Sequence, residues 1–300
     1  MRYRPFGHAG KVVSAISLLL RETGAVSRAG DWRAATISGL ENGINCFELC
    51  ASGDGLAAGV RTALATVDRR LVLIGWRIEH RTRMPLNGRV LRESVDKALS
   101  KTGAEYFDSL MLEENAVLCL TPDGHQCLAD LKSSGLCKHI GIVGEGDAVD
   151  LCFAEGVFDV LSSSCDLTSE NLILRQLKRA SDQGIIVIAR NAVPEGIVRA
   201  SRGPVARKVG NFFGFGRGNV LAGVGTFQFL HNTPGWKPED ICLACLLTEP
   251  AMATVMIEAR KPEVIAHLAT ITERELPTGI PAQLEMARFS SENMLGAVSS

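Results

Sequence analysis

Eight short apolar runs, set apart by stretches of amphipathic character, limit what this chain can fold into more than any other feature. The runs are Ser14 to Leu20, Asn45 to Cys50, Leu71 to Trp76, Phe107 to Leu112, His139 to Val143, Val157 to Ser162, Ile185 to Ala189 and Thr254 to Ile257. Between them lie helical patterns, among them Asp31 to Asn42, Val90 to Thr102, Asp123 to Ser134 and Glu170 to Gln183. Each of these is closed by a glycine, at 43, 103, 135 and 184, the residue that a left-handed helix cap prefers. Such alternation marks parallel β/α units. A doubly wound sheet would use fewer strands and carry a phosphate-loop glycine cluster after the first, so the expected fold is a closed (β/α)8 barrel. It is read as one domain over residues 1–300, opened by a small hairpin around Gly7 to Gly10.

The charge balance narrows the function. With Lys+Arg 32 against Asp+Glu 33 the net charge is -1, so no global field draws a nucleic acid or a membrane surface. The Val12 to Leu20 run is far too short to span a bilayer, and Arg21-Glu22 follows it without a small-residue cleavage site, which argues against a secretory leader. Nine cysteines, at 46, 50, 119, 127, 137, 152, 165, 242 and 245, sit in apolar surroundings at no repeating interval. An odd, scattered set suits reduced and buried thiols, hence a cytoplasmic protein acting on a small molecule. Cys242 and Cys245 have redox-motif spacing but fall in the helical pattern Pro238 to Glu249, and the six histidines show no metal-ligand spacing, so no metal is expected.

One segment breaks the rhythm. From Gly196 to Trp236 there is no acidic residue, while Arg199, Arg202, Arg207, Lys208 and Arg217 stand among glycines that include 214, 216 and 218. This basic, glycine-rich loop is read as a lid or phosphate-contacting loop with Arg217 as a contact, the alternative being a solvated linker.

Chemistry in such barrels sits at the C-terminal strand ends. The polar residues there are Glu48, Arg77, Glu113, Glu114, Glu145, Asp166, Arg190, Glu258 and Arg260. Glu48 lies inside Cys46-Phe47-Glu48-Leu49-Cys50, and a carboxylate in that setting must be paired or protonated. Cys46 and Cys50 share its strand face and are read as small core fillers, the alternative being a thiol activated by Arg77.

The opening Met1 to Gly7, the Gly43 to Phe47 segment, the run "LKSSGLCKHIGI" from Leu131 to Ile142 and the Thr254 to Leu268 run resemble the aldo-keto reductases. The resemblance implies a (β/α)8 barrel and NADPH-dependent carbonyl reduction by an Asp, Tyr, Lys and His tetrad. By their flanking motifs the four positions fall at Glu48, Gly53, Arg77 and Glu113, so all four differ. The family's cofactor contacts fall at Gly141 to Gly144, at Ser162, at Arg190 in place of the aromatic that stacks on nicotinamide, and at Arg260 and Lys261, where the adenosine 2′-phosphate would sit.

Glycine has no side chain to donate a proton, and arginine stays cationic where a lysine would tune a phenol. The expected site is therefore Glu48, Arg77 and Glu113 at one mouth of the barrel, with Arg190 and Arg217 facing substrate. Two carboxylates around one cation should differ in proton affinity, Glu113 serving as acid and Glu48 as base. The function read from this is non-redox acid–base chemistry, an elimination, isomerisation or cyclisation, with no resident cofactor. The alternatives are an NADPH-dependent reductase with a rebuilt proton donor, its adenine end on Arg260 and Lys261, and an inactive binding or scaffold barrel.

Overall fold

The computed structural model describes residues 1–7, 10–22, 28–51, 53–154, 156–169, 171–194 and 227–288. A hairpin of β1 (Tyr3–Pro5) and β2 (Val12–Ser14) comes first. Eight parallel strands then close into a barrel: β3 (Ile16–Arg21), β4 (Cys46–Cys50), β5 (Leu73–Ile78), β6 (Phe107–Glu113), β7 (Cys137–Val143), β8 (Val160–Ser164), β9 (Ile186–Arg190) and β10 (Thr254–Glu258). They are neighbours in chain order, and β10 pairs with β3 to complete the ring. The outer layer contains α1 (Ala29–Glu41), α2 (Gly55–Leu64), α3 (Gly88–Thr102), the short α4 (Glu114–Leu118), α5 (Pro122–Ser133), α6 (Asp147–Ala154), α7 (Asn171–Asp182), α8 (Pro238–Leu246) and α9 (Pro262–Ile271).

The fold is the (β/α)8 barrel with an N-terminal hairpin that the alternation predicts. The capping glycines behave as expected, with φ of 80°, 67°, 75° and 84° at Gly43, Gly103, Gly135 and Gly184, a region that disfavours a side chain. Of the loop expected over 196–236, residues 196–226, including Arg217, lie outside the described residues. Its end, by contrast, carries a 3-10 helix at Gln228–Asn232.

The strands differ from the expectation in a consistent direction. Five strands, β3, β5, β6, β9 and β10, run on past the expected end through Arg21, Arg77, Glu113, Arg190 and Glu258, and β8 runs on to Ser164, whereas β4 and β7 end at Cys50 and Val143 as expected. Those charges neutralise one another across the mouth, so the strands need not end where the apolar run does. At the other end, Ser14 belongs to the hairpin and the barrel strand starts at Ile16.

Two apolar layers result. Leu18, Phe47, Trp76, Leu110 and Ile142 pack outward under the helices, while Leu19, Cys46, Leu73, Met111, Val143, Val160, Ile188 and Met256 fill the barrel. The hairpin closes the N-terminal end with buried Phe6, edge-on to the His139 ring at 5.5 Å. Asp108 finishes that floor, taking Lys11 at 2.6 Å and Arg69 at 2.7 Å. With its floor sealed, the barrel opens at the C-terminal strand ends.

Candidate active site

Glu48 faces into the barrel because side chains alternate along β4, placing it on the same face as Cys46 and Cys50. Its register partner across the ladder is Gly75. A Cβ at Gly75 would lie 3.3 Å from Glu48 Cγ and 2.7 Å from Ser109 Oγ, so the missing side chain makes the room that the carboxylate occupies. Two residues along, Arg77 points the same way, and its Nε donates to Glu48 Oε1. Both are almost wholly buried, at 1% and 3% exposure. The pair satisfies the demand that a carboxylate in the apolar β4 run be matched.

Arg77 also stands between strands. Its Nη1 lies 4.0 Å from Glu113 Oε1 and its Nη2 3.8 Å from the Met256 sulfur. Glu113 is where β6 turns into α4, yet its side chain makes no capping bond and stays free for the mouth. Thus Arg77 brings Glu48 and Glu113 into one cluster. They are not equivalent: Glu113 keeps 32% side-chain exposure, whereas Glu48 keeps 2% and is shut in by Arg77.

Arg21 and Glu79 complete the cluster, and the expected site omitted both. Arg21 binds Glu79 Oε1 and sits 3.8 Å from Glu113 Oε1 and 3.5 Å from Glu258 Oε2, tying together strand ends from four parts of the ring. Glu79 also holds Arg81 at 2.7 Å. Alternation contained the signal, since Arg21 is two residues past the inward Leu19 and Glu79 two past Arg77.

The electrostatics separate the carboxyls. Burial, then the negative charge of Glu79, raises the Glu113 pKa above the usual carboxylate range, outweighing Arg77, Arg21 and Arg190. At 3.8 and 4.0 Å the two nearest guanidiniums attract without hydrogen bonding. Glu79 moves the other way: burial would raise its pKa, but hydrogen bonds from Cys50 and Arg81 and the charge of Arg21 lower it. The Cys50 thiol is pushed up to about 12 by burial and by its bond to Glu79. Cys46 is also raised, chiefly by burial. Both thiols are buried in the barrel core, and for Cys50 the pull of the arginines is smaller than the cost of burying a thiolate.

Arg190 ends β9 at the same mouth. Its Nη2 meets Glu145 Oε1 at 3.3 Å and its Nε has no hydrogen-bond partner among the described residues. Burial, followed by the charge of Arg77, lowers its pKa despite Glu145, Glu113 and Glu48. Asn191 follows at φ 56°, the only non-glycine with positive φ among the described residues, and donates from Nδ2 to Ser164 Oγ at 2.8 Å. Arg21, Arg77, Arg190 and Asn191 line a cavity of about 260 Å³ with Leu19, Leu243, Met256 and Glu258. No aromatic side chain is among its described lining residues.

The residues expected at an adenine end stand apart from this cavity. Arg260 donates to Asp31 Oδ2 at 2.7 Å and lies 4.6 Å over the Trp32 ring. Lys261 precedes α9, its carbonyl accepting from Val264 and Ile265 at 3.0 and 3.1 Å. Asp166, another of the strand-end charges, is used in a turn, accepting from the Thr168 amide at 2.7 Å. The Cys242 and Cys245 thiols are free and buried within α8. No group of three or more potential metal ligands occurs among the described residues, and no helix there is long and apolar enough to cross a membrane.

The chain matches the aldo/keto reductase family over residues 40–286. Among solved structures it is similar to the aldo-keto reductase AKR11C1 from Bacillus halodurans. For the holo form the TM-score is 0.74 at 15% identity, over 96% of this chain and 96% of that one. The apo form gives a TM-score of 0.72 at 16% identity with the same 96% coverage of both. No curated protein sequence matches the chain.

Proposed function

Since this chain belongs to the aldo/keto reductase family, whose chemistry needs a proton donor at the barrel mouth, we propose that Glu113 has taken that place and that the protein performs non-redox acid–base chemistry on a small molecule. The observation that carries this is a half-buried carboxyl with raised proton affinity, held near Arg77 and Arg21 at the mouth. A carboxyl tuned upward exchanges protons closer to neutral pH than an ordinary one does. An elimination, isomerisation or ring closure needs that exchange and no hydride.

The placement of the tyrosines supports the same reading. The chain has two, and both lie at the floor: the Tyr3 hydroxyl donates to the Gly43 carbonyl ahead of β4, and the Tyr106 ring sits under Arg69 just before β6. Neither phenol reaches the mouth. The described residues there do not fit a nicotinamide ring either, because the resemblance puts Arg190 at the stacking position and no described aromatic lines the cavity. The half-buried Arg190 guanidinium, close enough to Arg77 to feel its charge, would also oppose an oxidised, cationic nicotinamide.

The roles divide by burial. Glu113 gives and takes the proton. Glu48, enclosed behind Arg77, is a positioning residue that fixes the guanidinium instead of the direct base expected for it. Arg77 steadies negative charge developing on substrate. The test is incubation of small hydroxy, keto and unsaturated acids in D2O without cofactor, with mass spectrometry reading deuterium gained at carbon. Incorporation lost in Glu113→Gln supports the proposal. Saturable reduction of carbonyl substrates by NADPH would overturn it.

A further inference from the structure

The described lining of the mouth cavity has three arginines, Arg21, Arg77 and Arg190, against two glutamates, Glu239 and Glu258, and among the described residues Arg190 has the fewest ion pairs of the three. Arg21 is held by Glu79 and Glu258, although its Nε, like that of Arg190, has no hydrogen-bond partner among the described residues, and Arg77 is held by Glu48. Among the described residues Arg190 has one ion pair, with Glu145, which is 60% exposed and contacts it at 3.3 Å. The Arg190 Nε makes no hydrogen bond among the described residues, and a buried donor left unmade costs stability unless a ligand offsets it. Arg190 and Arg77 also lie close enough to repel, as the lowered Arg190 pKa reflects after burial. Such a pair gains from an anion placed between them.

The same cavity supplies an apolar wall. Leu19, Leu243 and Met256 line it and are buried at 7%, 1% and 4% exposure. Its volume, about 260 Å³, is below the range of roughly 300–1,000 Å³ usual for drug-sized ligands. An arginine fork suits a planar carboxylate, because two parallel N–H bonds fit its two oxygens.

From this we infer that the substrate is a small carboxylic acid, its carboxylate held by Arg190 and Arg77 and its short apolar body against Leu19, Leu243 and Met256. The inference rests on the acid–base reading of the mouth and adds the class of molecule that enters it. Glu113 is not itself among the described residues lining this cavity; it stands behind two that are, 3.8 Å from Arg21 and 4.0 Å from Arg77, so the part of the substrate that meets it is the part beyond the anchored carboxylate. Asn191, set at positive φ by the sharp exit from β9, fixes the chain just beyond the anchor through its bond to Ser164.

The experiment is calorimetric titration of the full chain with the straight-chain acids from propionate to octanoate, beside hexanamide as the neutral match for hexanoate. An acid of this series should bind, with hexanamide at least about tenfold weaker than hexanoate, the loss expected when a charged hydrogen bond is removed. Arg190→Gln should weaken the acid by about 10–100-fold, with Arg190→Lys in between. Circular dichroism checks that both variants fold, and the lysine form keeps the comparison open if the glutamine form does not. Equal affinity for hexanoate and hexanamide, no response to any acid at millimolar concentration, or unchanged affinity in both Arg190 variants would overturn the inference. If that happens while Glu113→Gln still abolishes deuterium incorporation, the anchor is wrong and the chemistry stands. Displacement of hexanoate by micromolar NADPH would overturn both, giving the anion site to a dinucleotide.

Discussion

Glu48 and Arg77, on adjacent strands and almost wholly out of water, form an ion pair in which the carboxylate keeps one oxygen, Oε2, without a hydrogen-bond partner among the described residues. Removing the arginine alone would strand a buried charge. Arg77→Ala should therefore cost about 3–5 kcal/mol in urea unfolding. Replacing both partners by apolar groups of similar size, Glu48→Leu with Arg77→Met, should recover most of that loss, because a buried pair repays little more than its own desolvation. A double variant as unstable as Arg77→Ala would show that the pair contributes far more than its charge balance.

Glu113 has its pKa raised by burial and by Glu79, so the folded state holds that proton more tightly than the unfolded chain does. The stability this gives is complete below the unfolded pKa and is lost as pH rises through the folded value. Glu113→Gln cannot titrate, so above that window it should be the more stable protein, with the advantage shrinking as the solution is acidified. Thermal melts across pH check the sign. The same substitution should lower the rate of whatever proton transfer the enzyme performs by about 10²–10⁴-fold.

The barrel was legible because its pattern is carried by local signals that tertiary packing reinforces, with alternating apolar runs and a glycine at each helix end. The first part of the site was legible for a related reason. A glutamate inside Cys46 to Cys50 violates the pattern around it, and the nearest cation on the next strand is Arg77. Arg21 escaped notice because it reads as the charge that terminates an apolar run, and Glu79 because it lies one residue beyond β5. Alternation puts both on the inward face, but their partners come from other strands: Arg21 meets Glu79 from the end of β5, and meets Glu258 because the ring closes with β3 beside β10. The pairing of Arg260 with Asp31 was hidden for the same reason, since 229 residues separate them in sequence.

Thiol chemistry offers a direct check on the electrostatics. With Cys50 pushed up to about 12 by burial and its bond to Glu79, it carries almost no thiolate at pH 8, and thiolate is the reactive form. Cys119 is the one cysteine of the nine that is not fully buried. A disulfide reagent applied to the native protein should label Cys119 first, with Cys46 and Cys50 reacting only on unfolding. Rapid modification of Cys50, mapped by peptide mass spectrometry, would contradict this account of the mouth.

Gly53 stands where the family resemblance puts a tyrosine, so restoring that residue tests how completely the mouth has been rebuilt. Its amide donates to Glu22 Oε2 at 2.6 Å, and a Cβ there would lie 3.2 Å from the same oxygen. Glu22 is itself buried, at 7% exposure, so any side chain at 53 must push a carboxylate that has little room to move. By the same resemblance, a tyrosine placed there would also meet Arg190 where the aromatic that stacks on nicotinamide is expected and Arg77 where the lysine is expected. The wild-type protein should therefore show negligible NADPH oxidation with ordinary aldehydes and ketones, lacking a general acid whose contribution is about 10²–10⁴-fold. Gly53→Tyr should leave that rate unchanged while lowering the melting temperature. Assays of both proteins over a set of carbonyl substrates decide it, and turnover by either near about 1 s⁻¹, the low end of ordinary enzyme rates, would show that the mouth still supports hydride transfer.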